Sequence, residues 1–590
     1  MTSVSTKSFA LALSRRRFVE GLAAAGVLGA AGPLLLPRPA FASTGYAEPL
    51  TGSEIDLTIA RHPVNFTGRI REAVLVNGSL PAPMLRWREG DTVTIRVHNR
   101  LDEETSIHWH GILLPASMDG VPGLSFRGIA PGETFEYRFR VRQSGTYWYH
   151  GHSGFQEQLG LYGPLIIDPR EPEPFSYDRD YVVMLSDWTD RDPFALYKLL
   201  KKQSHYFNYN RRTLGDFVDD VRGEGLKRAV RDRLDWARMR MAPSDLADIS
   251  AHTVHGYTFL MNGTPPAGNW TGLFRPGEKV RLRFINGSAM TYFDVRIPGL
   301  PMTVVAADGQ NVHPVTVDEF RLGVAETLDV IVEPRGADAF TIFAQAMDRS
   351  GYARGTLAAR DGLAAPVPEV DEVVYLSMAD IGHGGDGHDA HGSAADAQTG
   401  DHAAHGAAAA APAARLDVTH PPSERRNPRV DMQATAPKAR LDDPGIGLRG
   451  NGRRVLTYAD LKTLGGDPDG REPGRTIELH LTGHMGRYTW SFDGVPFSRS
   501  EPVPFRYGER LRIVLVNDTM MEHPIHLHGM WSDVEDDDGA FHLRKHTVSI
   551  PPGTRRTYRV TADALGRWAY HCHMLYHMAA GMFREVRVEA

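Results

Sequence analysis

The chain has 590 residues, 42% of them hydrophobic and 23% charged, with a net charge of −6. That length exceeds what one hydrophobic core supports, and the acidic balance argues against nucleic acid as a partner. Fifty-nine glycines and thirty-nine prolines favour a turn-rich all-β chain, while a single cysteine excludes an internal disulfide.

The first segment reads as a leader rather than as part of the fold. "SRRRFVEG" (14–21) precedes the small, apolar "LAAAGVLGAAGPLLLP" (22–37), and "AFA" (40–42) offers small residues at a cleavage point. This plan predicts a twin-arginine signal peptide over residues 1–42 and export to the periplasm as a folded protein. A membrane anchor is the alternative, but the apolar run is short and broken by glycine and proline. No other stretch is long and apolar enough to span a bilayer, so no stable membrane anchor is expected. Residues 1–42 carry five basic side chains and one acidic, so their removal takes the charge from −6 to −10.

The next segments repeat. "NRLDEETSIHWHG" (99–111), "APGETFEYRF" (130–139) and "GTYWYHGH" (145–152) return in order as "NDTMMEHPIHLHG" (517–529), "PPGTRRTYRV" (551–560) and "GRWAYHCH" (566–573). The two ends of the chain are therefore copies of one unit. A fainter copy, "RPGEKVRLRFINGS" (275–288), lies between them, with Val295 where a histidine pair would stand. Alternating runs such as "DTVTIRVHN" and "RLRIVLVND" predict half-buried strands joined by tight turns. Each unit reads as a Greek-key β-sandwich or barrel. The boundaries predicted are 44–170, 171–365 and 450–590.

Two segments break this pattern. Residues 193–246, which include "GLKRAVRDRLDWARMRMAP", predict helices inserted into the second domain. Residues 366–449 predict a linker whose low-complexity centre, 380–415, carries His383, His388, His391, His402 and His405.

Ten of the twenty-six histidines fall in four clusters: "HWH" (108–110), "HGH" (150–152), "HPIHLH" (523–528) and "HCHMLYH" (571–577). Residues i and i+2 of a strand share a face, so each H-x-H pair presents two imidazoles to one place. Four pairs meet if the terminal copies pack face to face across a pseudo-twofold. Eight neutral imidazoles are too many for one metal and suit three, with copper, zinc or iron as candidates. Cys572 lies between His571 and His573, so its side chain points away from that cluster. There it can meet His523, His577 and Met582. Two imidazoles, a thiolate and a weak thioether make a blue-copper electron-transfer site. The first copy has Thr105, Gly151, Gln156 and Leu161 at the matching positions, so it keeps its half of the cluster and lacks all four of these ligands. The linker histidines are then either plain disorder or a loose copper-catching tether.

These four motifs resemble the multicopper oxidases. With the leader, "IHWHGILLPASMDGVPG", "GTYWYHGHSGFQEQLGLYGPLII" and "HPIHLHGM", they are similar to the copper resistance protein A group. The resemblance implies three cupredoxin-like Greek-key β-barrel domains and four copper ions. It implies a type 1 copper at His523, Cys572, His577 and Met582, and a type 2 copper at His108 and His526. It implies a type 3 pair at His110, His150, His152, His528, His571 and His573. Asp119, nine residues after His110, matches an acidic position that assists proton delivery. The chain departs from the group in having a histidine-rich rather than methionine-rich linker. Met578 stands where some superfamily members place a carboxylate, which puts a second proton route in doubt.

The expected reaction takes electrons singly at the type 1 copper, passes four through Cys572 to His571 and His573, and reduces dioxygen to two waters. Resemblance favours Cu(I) as the reducing substrate, in copper tolerance. Met520, Met521 and Met530, near His523 and followed by "SDVEDDDG" (532–539), are a candidate site for that ion; the alternative is an apolar pocket beside a solvated acidic loop. Laccase-like oxidation of phenols is the enzymatic rival. A periplasmic copper-sequestering protein is the rival of a different class, but a store needs no thiolate bridge between sites. A copper nitrite reductase needs three histidines at its second copper, fewer than four H-x-H pairs supply.

Overall fold

The computed structural model describes residues 49–209, 212–239, 241, 246–252, 256–383 and 418–590. The leader and His388, His391, His402 and His405 lie outside the described residues. Everything described belongs to one compact unit. It holds six sheets, two each from residues 50–168, 179–358 and 476–589. These are three cupredoxin-like β domains that share a common core of strands; the sheets of the first have four and five strands, those of the other two six and five.

The repetition extends to strand order. In the first sheet of each domain a hairpin precedes a parallel partner and then an antiparallel one. Glu54–Val64, Arg179–Trp188 and Thr476–His484 are the central strands, paired in parallel with Thr92–Asn99, Val280–Asn286 and Arg510–Asn517. In the second sheets, Leu85–Arg88, Trp270–Leu273 and Val503–Arg506 run parallel to Tyr162–Asp168, Tyr352–Ala358 and Phe583–Glu589. Apolar side chains from both sheets of each domain fill its interior, as the period-two sequences require.

The middle domain ties the outer two together. Asp329 accepts from Thr146 of the first domain at 2.9 Å and pairs with the buried Arg281 at 2.6 Å. Arg321 bridges Asp294 and Glu522, the residue before His523. Its strand Phe293–Arg296 occupies the place of the histidine strands of the outer domains. There Asp294 and Arg296 form buried ion pairs with Arg321, Arg349 and Glu319.

The inserted segment contains helices Pro193–Lys202, Leu214–Glu224 and Leu226–Arg238. Asp192 caps the first by accepting the Ala195 N–H at 2.7 Å, and Leu196 and Leu200 face inward. Tyr197 of this helix stacks on Tyr576 and donates to the Ala579 carbonyl, so the insertion covers the 571–582 loop. The described parts of 366–449 are packed, unlike a free linker. Leu376, Ile381, Met432, Ala434 and Leu441 are buried, because this stretch lines the third domain and pairs Lys438 with Thr554.

Candidate metal centre

The first histidine strand of each outer domain, His108–His110 and His523–Leu527, is fixed from behind by an asparagine that the repeat keeps. Asn99 donates to the carbonyls of Glu103 and Ile129 and accepts from Leu101 N–H. Asn517 does the same with Met521, Ile550 and Thr519. A buried side chain with three satisfied bonds clamps the loop that leads into the next strand. Each strand then ends on a glycine. Gly111 and Gly529 have φ of 78° and 71°. A Cβ there would lie 2.5 Å from the His546 ring and 2.4 Å from the Trp568 ring, respectively, so both positive φ and space require glycine.

Antiparallel pairing sets His108 opposite His150 and His526 opposite His571. The two domains then meet face to face. His108 lies against His528, and His110 against His526, both with ring centroids 3.9 Å apart, as a pseudo-twofold demands. Eight imidazoles converge, seven of them buried and His152 partly buried. Their nitrogens sort into triads: His110, His150 and His573 form one, and His152, His528 and His571 another. His108 and His526 complete the cluster, each with its Nδ1 on a backbone carbonyl, of Asp119 and His546, and a buried, unpartnered Nε2.

This cluster fits cations. His528 Nδ1 faces Asp119 Oδ2 at 2.8 Å and His571 Nδ1 faces the Cys572 carbonyl at 2.9 Å, so both Nδ1 atoms carry the proton. Their bare Nε2 lone pairs then face each other at 3.0 Å, an arrangement that a positive ion relieves. Burial first, and neighbouring imidazoles second, hold His110, His526, His528 and His573 well below the ordinary histidine range. Burial pushes His571 down to about 4. These five rings are therefore neutral at pH 7, the form that binds metal.

Behind this cluster, Cys572 Sγ lies 3.5 Å from His523 Nδ1 and 3.8 Å from His577 Nδ1, with the two nitrogens 3.2 Å apart. Donors bound at about 2.0–2.3 Å to one ion stand ~3–4 Å from each other. Burial pushes the thiol pKa up, so a metal is what makes the thiolate stable here. Met582 is fully buried, and its carbonyl accepts the Cys572 N–H at 3.2 Å. The matching place in the first domain is closed without a metal: Thr105 donates to Gln156 at 2.6 Å, with Gly151 and Leu161 packed alongside.

Other positions carry unforeseen roles. Asp248 Oδ2 accepts from His577 Nε2 at 2.7 Å and from the Tyr488 hydroxyl at 2.8 Å. Glu157 Oε2 lies 2.8 Å from His150 Nδ1, and burial together with Asp187 raises its pKa well above the carboxylate range. The "SGFQEQ" stretch following His152 was a signal for Glu157; nothing near residue 248 marked it. Met578, in contrast, is only half-buried. Met520, Met521 and Met530 do not form an open thioether face. All three are at most 4% exposed and belong to the core, because the loop that carries His523 folds inward on Asn517. Of the acidic run that follows, Asp533 and Glu535 are buried in ion pairs with Arg510 and Arg512.

Comparison with known proteins agrees with this geometry. Multicopper oxidase family models match residues 58–172, 179–361 and 470–590. The chain is 62% identical to copper resistance protein A of Pseudomonas syringae pv. tomato, over 98% of this chain and 99% of that one. It is 60% identical to copper resistance protein A of Escherichia coli, over 98% and 100%. Among solved structures it is similar in fold to Fet3p, a multicopper oxidase that functions in iron import, with a TM-score of 0.61, 18% identity, and coverage of 92% and 91%. The chain belongs to the multicopper oxidases, copper is its cofactor, and within that family it falls in the copper resistance protein A group.

Proposed function

We propose that the chain oxidises Cu(I) to Cu(II) at the expense of dioxygen, as a periplasmic copper-tolerance enzyme. The observation that carries this reading is the position of Cys572. Its sulfur belongs to the His523–His577 site while the residues on either side of it, His571 and His573, belong to the two imidazole triads. A single peptide therefore joins the two sites.

In this reading His523, Cys572, His577 and Met582 hold the type 1 copper, and His108 and His526 the type 2. His110, His150 and His573 hold one type 3 ion, and His152, His528 and His571 the other. Bound copper supplies the redox chemistry, accepting electrons singly and delivering four, with four protons, to dioxygen to give two waters. The protein holds geometry and protons. Asp119 orients two rings at once, His108 through its carbonyl and His528 through its carboxylate, and it is the buried carboxylate from which protons reach the cluster. Glu157 fixes His150 and is a second buried acid beside the cluster, which meets the need left by Met578.

The choice of Cu(I) over a phenol is supported by the names of the relatives and by access. His523, Cys572 and His577 are fully buried, and His577 is capped by Asp248 and Tyr488. An aromatic substrate has no imidazole edge to touch, and the group that reaches His577 from outside is a carboxylate, Asp248, itself 7% exposed, which suits a cation better than a phenol. The arginine-pair leader supports export of the folded, copper-loaded chain. Dioxygen uptake tests the reading: consumption on adding Cu(I), at one O2 per four Cu(I), with phenols oxidised at least tenfold more slowly, supports it. Copper binding without oxygen uptake would sink it in favour of storage.

A further inference from the structure

A second cluster of metal-binding side chains lies outside the copper centre. His420, Glu424, His480 and Asp518 place one ligand atom each within 4.8 Å of all the others. Glu424, His480 and Asp518 are at most 3% exposed, and His420 is half-buried. None of the four belongs to the ligand sets above.

The side chains are aimed rather than merely close. His420 turns its Nε2 to the Ala434 carbonyl at 3.1 Å, and His480 turns its Nε2 to Glu478 at 3.3 Å. Oxygen partners on the outer nitrogens direct both Nδ1 atoms inward, as at known histidine–metal sites. His480 Nδ1 meets Asp518 Oδ2 at 2.7 Å, and His420 Nδ1 lies 3.1 Å from Glu424 and 3.2 Å from Asp518. The carboxylates are held in turn: Ala434 N–H donates to Asp518 at 2.7 Å and Gln433 to Glu424 at 2.8 Å. Glu424 Oε1 is buried with no hydrogen-bond partner. His383 Nε2 is also buried and unpartnered, and this ring feels the charges of Asp518 and His420.

The repeat supplies a control. Register equates His480 with Thr58 of the first domain and Met184 of the second; Asp518 follows the clamp asparagine, where Arg100 and Gly287 stand. The fold thus needs neither residue. The third domain gains both, and the segment 418–449 brings His420 and Glu424 to them. His383 and His420 also flank residues 384–417, whose sequence holds His388, His391, His402 and His405.

The geometry points to a fifth metal site, formed by His420, Glu424, His480 and Asp518, that binds divalent copper. Two imidazoles and two carboxylates without sulfur disfavour Cu(I) and suit Cu(II), the tightest-binding of the divalent first-row ions. Choosing copper over zinc rests on the proposed reaction, whose product is Cu(II). The site itself rests on the side chains alone. With no ion bound, hydrogen bonds to Asp518 and Glu424 raise His420 to about 10, so the cluster balances its own charge and stays folded empty.

The test uses the full-length, copper-loaded protein incubated with excess Cu(II) and desalted. Wild type is expected to retain one copper per chain more than His480→Gln, with the thiolate–copper absorption band intact in both as the control for folding. His480 lies on a strand far in sequence from the linker, so copper caught by the linker histidines cancels in this comparison. Equal retention would overturn the site. Crystals of the wild-type protein grown with Cu(II) give a measurement that needs no variant: anomalous density among the four side chains supports the site, and its absence overturns it. Parallel crystals with Zn(II) separate the metals. Density with zinc but not with copper would overturn the copper assignment and leave the oxidase reaction untouched.

Discussion

Asp248 accepts a hydrogen bond from the Nε2 of His577 at 2.7 Å, across 329 residues of sequence. The bond fixes the tautomer that turns Nδ1 toward the Cys572 sulfur, and it puts a negative charge at the outer edge of that site. Asp248→Asn is expected to keep the thiolate–copper absorption but to slow its bleaching by Cu(I) about 10- to 100-fold. Stopped-flow absorption under anaerobic conditions reads this directly, and an unchanged rate would remove Asp248 from the path.

Cys572→Ser removes the one donor that belongs to neither triad yet sits between them. The variant is expected to hold about three coppers instead of about four, to be colourless near the thiolate band, and to lose measurable dioxygen uptake. Metal analysis with oxygen electrode traces checks both halves. Retained uptake would mean that electrons reach the cluster by another route.

Asp119→Asn preserves the backbone carbonyl that holds His108 but weakens the charge that holds His528 and supplies protons. Oxygen turnover is expected to fall about 10- to 100-fold. Anaerobic reduction of the copper held by Cys572 is expected to stay within twofold of wild type. The split between the two rates distinguishes a proton role from a general loss of structure.

Asn517→Ala strips the buried carbonyls of Met521 and Ile550 of their amide donor, leaving the Met521 carbonyl with the weaker Thr519 hydroxyl at 3.2 Å. A loss of about 1–3 kcal/mol is expected, visible as a lower denaturant midpoint of the third domain. Copper at the His523 site is expected to dissociate faster, because that residue follows the released loop. Asn286→Ala, in the middle domain, carries the same stability cost without that effect.

Acid is expected to strip copper and destabilise the copper-free chain. Burial holds His571 and His546 down to about 4, below the value near 6.5 of an unfolded histidine. Between those values the unfolded chain binds more protons, so this contribution is complete above about pH 6.5 and is lost as pH falls through 4. His420 opposes it. Its value, raised to about 10 by Asp518 and Glu424, contributes stability present below pH 6.5 and lost as pH rises toward 10. Melting temperature of the copper-free protein across pH 4–10 should therefore pass through a maximum. His480→Gln, which removes part of the opposing cluster, should flatten the alkaline limb.

Much of this protein was legible in its residue order. Strand geometry is local, so the period of two told which histidines share a face, and the repeat told that the faces come in two related copies. The same logic separated Cys572 from its neighbours, since i and i±1 on a strand point opposite ways. The resemblance of these motifs named copper before any coordinates. What the order of residues left open were meetings between distant positions and the question of what is covered. Only the packed structure sorted six imidazoles into two triads, brought Asp248 to His577 and Glu157 to His150, and buried Met520, Met521 and Met530 in the core. It alone turned His420, Glu424, His480 and Asp518 toward one point. Side-chain direction along a strand follows from the backbone of a few residues, whereas burial and partnership depend on which surfaces the whole chain presses together.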